Sequence, residues 1–99
     1  MANDIKLGMI IKSKAGRDKN RYFMVYSYDG GNFVYLVDGV LRNIASPKKK
    51  KIKHIELTHV VLDPISQKLA EGTKVFDAEV RKAMDTAGFS NAKVVKKEE

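Results

Sequence analysis

The stretch Gly8–Val25, GMIIKSKAGRDKNRYFMV, reads as a strand, a basic turn and a second strand. Its two ends are rich in apolar, β-branched and aromatic residues, which suit a pleated, half-buried surface. Gly16 sits in the turn, where a residue without a Cβ can take a left-handed backbone. Around it stand Lys12, Lys14, Arg17, Lys19 and Arg21, opposed by Asp18 alone. A hairpin cannot bury five cations, so they are expected to project from its loop end. The plainer alternative is a solvated turn with no partner.

The strand pattern continues outward from this segment. Arg21–Tyr28 and Asn32–Asp38 are rich in aromatic and β-branched residues, and Asp29-Gly30-Gly31 between them supplies hairpin chemistry. Asp38-Gly39 is a second turn signal, leading into Val40–Ile44. Ile52–Leu62 alternates in part, with Ile55 and Leu57 on one face and Glu56 and Thr58 on the other. With Ile5–Ser13 these make five short strands, predicting a mainly β domain over residues 1–63, a small bent sheet or barrel. Pro64 cannot donate to a ladder and ends the sheet. Beyond it, Val75, Phe76, Val80, Ala83, Met84 and Ala87 recur at spacings of three and four. That stripe predicts a C-terminal α-helix within residues 64–90, N-capped by Thr73 and ended by Gly88. The stripe either packs on the sheet or docks a partner protein. Residues 91–99 are polar and charged, and are expected to fray.

The 99 residues suffice for one core. The absence of cysteine excludes a disulfide framework, a thiol nucleophile and thiolate metal sites. No run approaches the roughly 20 apolar residues of a membrane span, and no secretory signal is read, so a cytoplasmic protein, monomeric when free, is expected. The formal net charge of +7 is unevenly distributed. Residues 1–55 hold twelve Lys/Arg against four Asp/Glu, whereas residues 56–99 hold seven against eight. This asymmetry points to a polyanionic partner for the N-terminal part.

A second basic constellation is Pro47–His54, PKKKKIKH, with Lys48, Lys49, Lys50, Lys51 and Lys53 within six residues. Like charges at this density predict an extended or mobile loop, whose lysines either suit phosphates rather than base edges or are simply solvated. Arg42 lies between the two clusters; it either extends one basic surface or lies over apolar neighbours. Tyr22, Tyr26 and Tyr28 fall on one face of the second strand, and Phe33 and Tyr35 on one face of the third. These rings either fill the interior or, at Tyr22 and Tyr28, stack on bases. His54 and His59, five apart on one expected strand, face opposite ways and do not form a metal site. No nucleophile, paired acid or phosphate-cradling glycine loop is present, so neither an enzyme nor a cofactor site is expected.

The pattern Gly8, apolar strand, Ser13, Gly16, basic run and Phe23-x-Val25 resembles the KOW motif of ribosomal proteins and transcription-elongation factors. The fuller set S-K-A-G-R-D-K, V-D-G-V-L-R-N-I and P-K-K-K-K-I-K-H resembles bacterial RNA-binding proteins related to the fourteenth large-subunit protein of archaeal and eukaryotic ribosomes. The likeness covers about residues 5–62. It implies a five-stranded SH3-like barrel followed by a C-terminal helix, with RNA, ribosomal RNA first, as partner. It also implies that Gly16 shapes the loop and that Lys14, Arg17 and Lys19 face RNA. Asn20 departs from the glycine common in the motif, but Asn is the next best residue at positive φ. Together, Lys12, Lys14, Gly16, Arg17, Lys19, Arg21, Arg42, Lys48–Lys51 and Lys53 make the expected RNA-binding set. Contact with ribosomal or transcription proteins is the alternative.

Overall fold

Alternation along the first strand builds two cores at once. In the computed structural model, which describes residues 4–89, β1 (Met9–Ser13) sends Met9, Ile11 and Ser13 to one side and Ile10 to the other; all four are buried. It pairs antiparallel with both β2 (Tyr22–Tyr28) and β5 (Ile55–Val61). The strands β3 (Phe33–Val37) and β4 (Lys48–Lys51) complete one antiparallel sheet of order β4-β3-β2-β1-β5, leaving β4 and β5 as its edges. The protein is thus mainly β, as its sequence predicts, and the ladders leave the sheet unclosed.

The sheet nevertheless curls strongly. Laid flat, five strands would hold their edges about 19 Å apart. The chain from Lys51 to Ile55 can span at most about 14 Å, and it is wound into a 3-10 turn at Ile52–His54. Ile11, Phe23, Val25, Val34, Leu36 and Ile55 fill the concave side. On the convex side, Ile10, Met24 and Val37 meet Ile65 of α1 (Ile65–Glu71) and Val80 and Met84 of α2 (Asp77–Thr86).

Several sequence expectations are corrected. Val40–Ile44 is an irregular turn rather than a strand. The buried carboxylate of Asp38 accepts the N–H groups of Val40, Leu41 and Arg42 at 2.8–2.9 Å, so these donors are taken by a side chain instead of a ladder. The fourth strand is the lysine run itself. One helix becomes two, because Gly72, left-handed at φ +79°, ends α1. Thr73 caps neither helix from its N-terminus; its N–H closes on Lys68 O, and α2 starts at Asp77, where Glu79 accepts the Phe76 N–H at 3.4 Å. Phe76 leaves the helical stripe and is 59% exposed, while Val75, Val80 and Met84 are buried. A bulge between Val25 and Ser27 turns Tyr28 to the face opposite Tyr22 and Tyr26. His54 lies in the 3-10 turn and His59 in an irregular stretch of β5 at φ +65°, so they do not share a regular strand. Gly88, at φ +88°, does follow α2 as expected. The expected tail, residues 91–99, lies outside the described residues.

One glycine fixes the helix against the sheet. A Cβ on Gly39 would collide with Asp77 O and lie 2.9 Å from Arg81 N, so the turn after β3 can touch α2 only without a side chain. Asp77 reinforces the contact by accepting the Ile44 N–H at 2.7 Å. The irregular segment carrying Leu41 and Arg42 is therefore held at both ends, by Asp38 and by Asp77.

Candidate nucleic-acid interface

The first basic turn is a true loop. Asn20 N–H donates to Ser13 O at 2.7 Å and Ser13 N–H to Arg21 O at 2.9 Å, closing its base. Gly16 at φ +85° and Asn20 at φ +72° supply the left-handed residues such a tight closure needs. Lys14, Arg17, Lys19 and Arg21 are all exposed, as the charge argument requires. Lys12 is not part of this group. It lies within β1, half-buried, with its ammonium 5.9 Å from the centre of the Tyr22 ring.

The second basic segment behaves differently. In register, Lys48 and Lys50 oppose Leu36 and Val34, whereas Lys49 and Lys51 oppose Tyr35 and Phe33. Since Leu36 and Val34 face the concave core, Lys48 and Lys50 are turned inward. Lys50 is 8% exposed and donates to Asp18 Oδ1 at 2.7 Å, Ala15 O at 2.8 Å and Ser13 Oγ at 3.0 Å. These three acceptors saturate the three donors of its ammonium. Lys50 is thus removed from the expected RNA-binding set, and the expected mobile loop is an ordered strand. Lys49 and Lys51 point outward, with Lys49 4.4 Å from the Phe33 ring centre, and Lys53 is exposed in the 3-10 turn.

Asp18 ties the two segments together. Burial opposes its ionisation, but the hydrogen bonds from Lys50 and Ser13 and the charges of Lys50 and Lys48 outweigh that, holding its carboxyl below the ordinary range. Its other oxygen, Oδ2, lies 4.0 Å from Lys48 Nζ.

The consequence is one open pocket of about 530 Å³, lined by Arg17, Asp18, Arg21, Phe23, Leu41, Arg42 and Lys48. Four cations from three separate parts of the chain converge here. Arg42 therefore joins the first turn, and Lys48 comes from the end of the lysine run nearest to it. Sequence reasoning missed Leu41, which is 46% exposed, and the role of Asp18. The signal for Asp18 was available in its position as the sole acid among five cations. Of the rings considered for stacking, Tyr22 is half-buried and packs edge-on against Phe89 at 4.9 Å, while Tyr28 is exposed at the far end of β2. Among the described residues, no group of three or more His, Cys, Asp or Glu side chains is placed to hold a metal ion, and no helix is long and apolar enough to cross a membrane. The chain matches no protein-family model, and no curated protein is significantly similar to it.

Proposed function

We propose that this chain is an RNA-binding protein, its curled sheet an SH3-like barrel of the KOW type, that grips structured RNA through its cationic pocket. One observation carries the reading: Arg17, Arg21, Arg42 and Lys48 line a single pocket although they arise from the first turn, the Asp38-capped segment and β4. Convergent guanidinium groups suit phosphate oxygens, which they can engage in pairs. The flanking exposed cations Lys14, Lys19, Lys49, Lys51 and Lys53 extend the same positive field. The barrel part of the reading is supported by the strand order, the 3-10 turn joining the edge strands, and the reach of Lys50 on β4 to Ser13 on β1. Ribosomal RNA is the target class implied by the sequence resemblance, and a cytoplasmic site of action follows from that target. The rival, a protein-docking module, keeps only Phe76 of its stripe exposed, because Val75, Val80 and Met84 are spent within the fold.

The test is affinity for a ribosomal-RNA fragment measured across a salt series. Four neutralised phosphates predict that log K falls with log[salt] at a slope of about −3 to −3.6. The Arg17→Ala/Arg42→Ala variant should flatten that slope by about 1.5. An affinity indifferent to salt overturns the proposal.

A further inference from the structure

The pocket contains one group that a pure phosphate grip does not want. Asp18 is a carboxylate among four cations, an acceptor that repels phosphate oxygens. Its Oδ1 is occupied by Lys50 Nζ at 2.7 Å and Ser13 Oγ at 3.0 Å, which fix the side chain on two sides. Oδ2 is differently placed. Among the described residues both hydrogen bonds to this carboxylate go to Oδ1, and Lys48 Nζ lies 4.0 Å from Oδ2, beyond hydrogen-bond distance. The pocket thus combines phosphate-binding cations with a held, ionised acceptor that has capacity left. Leu41 adds an exposed apolar surface to the same wall. The volume, about 530 Å³, falls in the range of sites for small ligands.

We infer that Asp18 Oδ2 accepts a hydrogen bond from a ribose 2′-hydroxyl and is the means by which this pocket distinguishes RNA from DNA. The inference rests on the RNA-binding reading of the same pocket and deepens it. A 2′-hydroxyl is the one sugar donor that RNA has and DNA lacks. Bonds to a charged acceptor are among the stronger hydrogen bonds, and the lowered acidity range of Asp18 keeps it ionised at neutral pH. The four cations bind the backbone of either polymer; Asp18 repels both backbones equally and repays only the one carrying the donor.

The experiment compares one hairpin RNA in its ordinary form with the same sequence carrying 2′-fluorine throughout. Fluorine keeps an RNA-like sugar pucker but cannot donate. Wild-type protein should bind the 2′-hydroxyl form about tenfold more tightly, the factor expected for one charge-assisted bond. Asp18→Asn should bring the ratio close to one. Its amide oxygen can still serve Lys50 and Ser13, which leaves the NH2 group, a donor, facing the pocket. A purely structural role for Asp18 would lower affinity for both forms and leave the ratio unchanged, overturning the inference. Equal binding of both forms by the wild-type protein also overturns it, whether or not the variant folds. If salt-dependent binding persists in that case, the RNA-binding reading survives; if neither form binds, that reading fails as well.

Discussion

The turn at residues 14–21 and the run Lys48–Lys51 each carry four cations, yet the fold treats them in opposite ways. In the turn, every cation points to solvent and the lone acid, Asp18, turns inward. In the run, strand alternation sends Lys48 and Lys50 inward and leaves Lys49 and Lys51 outside. Charge density alone therefore does not decide whether a lysine is a ligand-binding group or a structural one. The backbone period sorts the run into inward and outward lysines. Of the inward pair, Lys50 is tied up by Asp18 at 2.7 Å, while Lys48, 4.0 Å from the same acid, lines the pocket. The two regions are also complementary, because the acid of the first is the partner of the second.

The most damaging way to break this complementarity is at Lys50. Lys50→Met keeps the length of the side-chain stem but leaves Asp18, Ser13 Oγ and Ala15 O without their shared donor. Removing one member of a buried pair strands the other, and a loss of about 3 kcal/mol is expected. Urea unfolding followed by circular dichroism measures it. A loss below about 1 kcal/mol, the scale of exposed pairs, would show that the network is as dispensable as a surface bridge.

This same contrast explains what was legible in the sequence. The strands β1, β2 and β3 announce themselves as runs of apolar, β-branched and aromatic residues, β5 by partial alternation, and all by the turn residues between them. β4 does not, because four lysines have no hydrophobic period; its alternation exists only in space, through Val34, Leu36 and Asp18. Val40–Ile44 misleads in the reverse direction. Its side chains favour a strand, but the Asp38 carboxylate captures its donors. The bulge between Val25 and Ser27 re-aims Tyr28, which a strict two-residue period cannot foresee. α1 buries little beyond Ile65 and is too short to impose a helical stripe. At the site, the exposed cations of the first turn followed from charge alone. Their meeting with Arg42 and Lys48 depends on Gly39 and Asp77 holding the intervening segment, which is tertiary information.

Acid sharpens the comparison with a smaller effect. The Asp18 carboxyl is held below its ordinary value of 3.8, so the folded state favours its ionised form. The resulting stabilisation is fully present above about pH 4 to 5 and is lost as the pH falls through the ordinary value toward the folded one. Glu79, lowered by its hydrogen bond from Lys68, titrates in the same direction. The informative quantity is therefore the difference between wild type and Lys50→Met. Plotted as urea midpoint against pH, the two curves should converge in acid, since protonated Asp18 no longer needs Lys50. Parallel curves would mean that Lys50 stabilises the fold by packing alone.

The smallest effects belong to the outward lysines, and there the comparison becomes quantitative within four residues. Lys49 lies 4.4 Å from the Phe33 ring centre, a geometry worth about 0.5 kcal/mol at an exposed site. Lys51 is exposed, and among the described residues no ring contact or ion pair fixes it in the way that Phe33 fixes Lys49 or Asp18 fixes Lys50. Lys49→Ala should therefore cost about 0.5 kcal/mol and Lys51→Ala next to nothing, within the usual spread of surface substitutions. Register sets Lys50 apart from the outward pair, and the Phe33 contact then ranks Lys49 above Lys51, although all three share a side-chain type and a strand. If Lys51→Ala proved costly and Lys50→Met nearly neutral, the inward and outward faces of β4 would have to be exchanged. A one-residue slip in its pairing with β3 would then account for the data, because such a slip reverses every side chain.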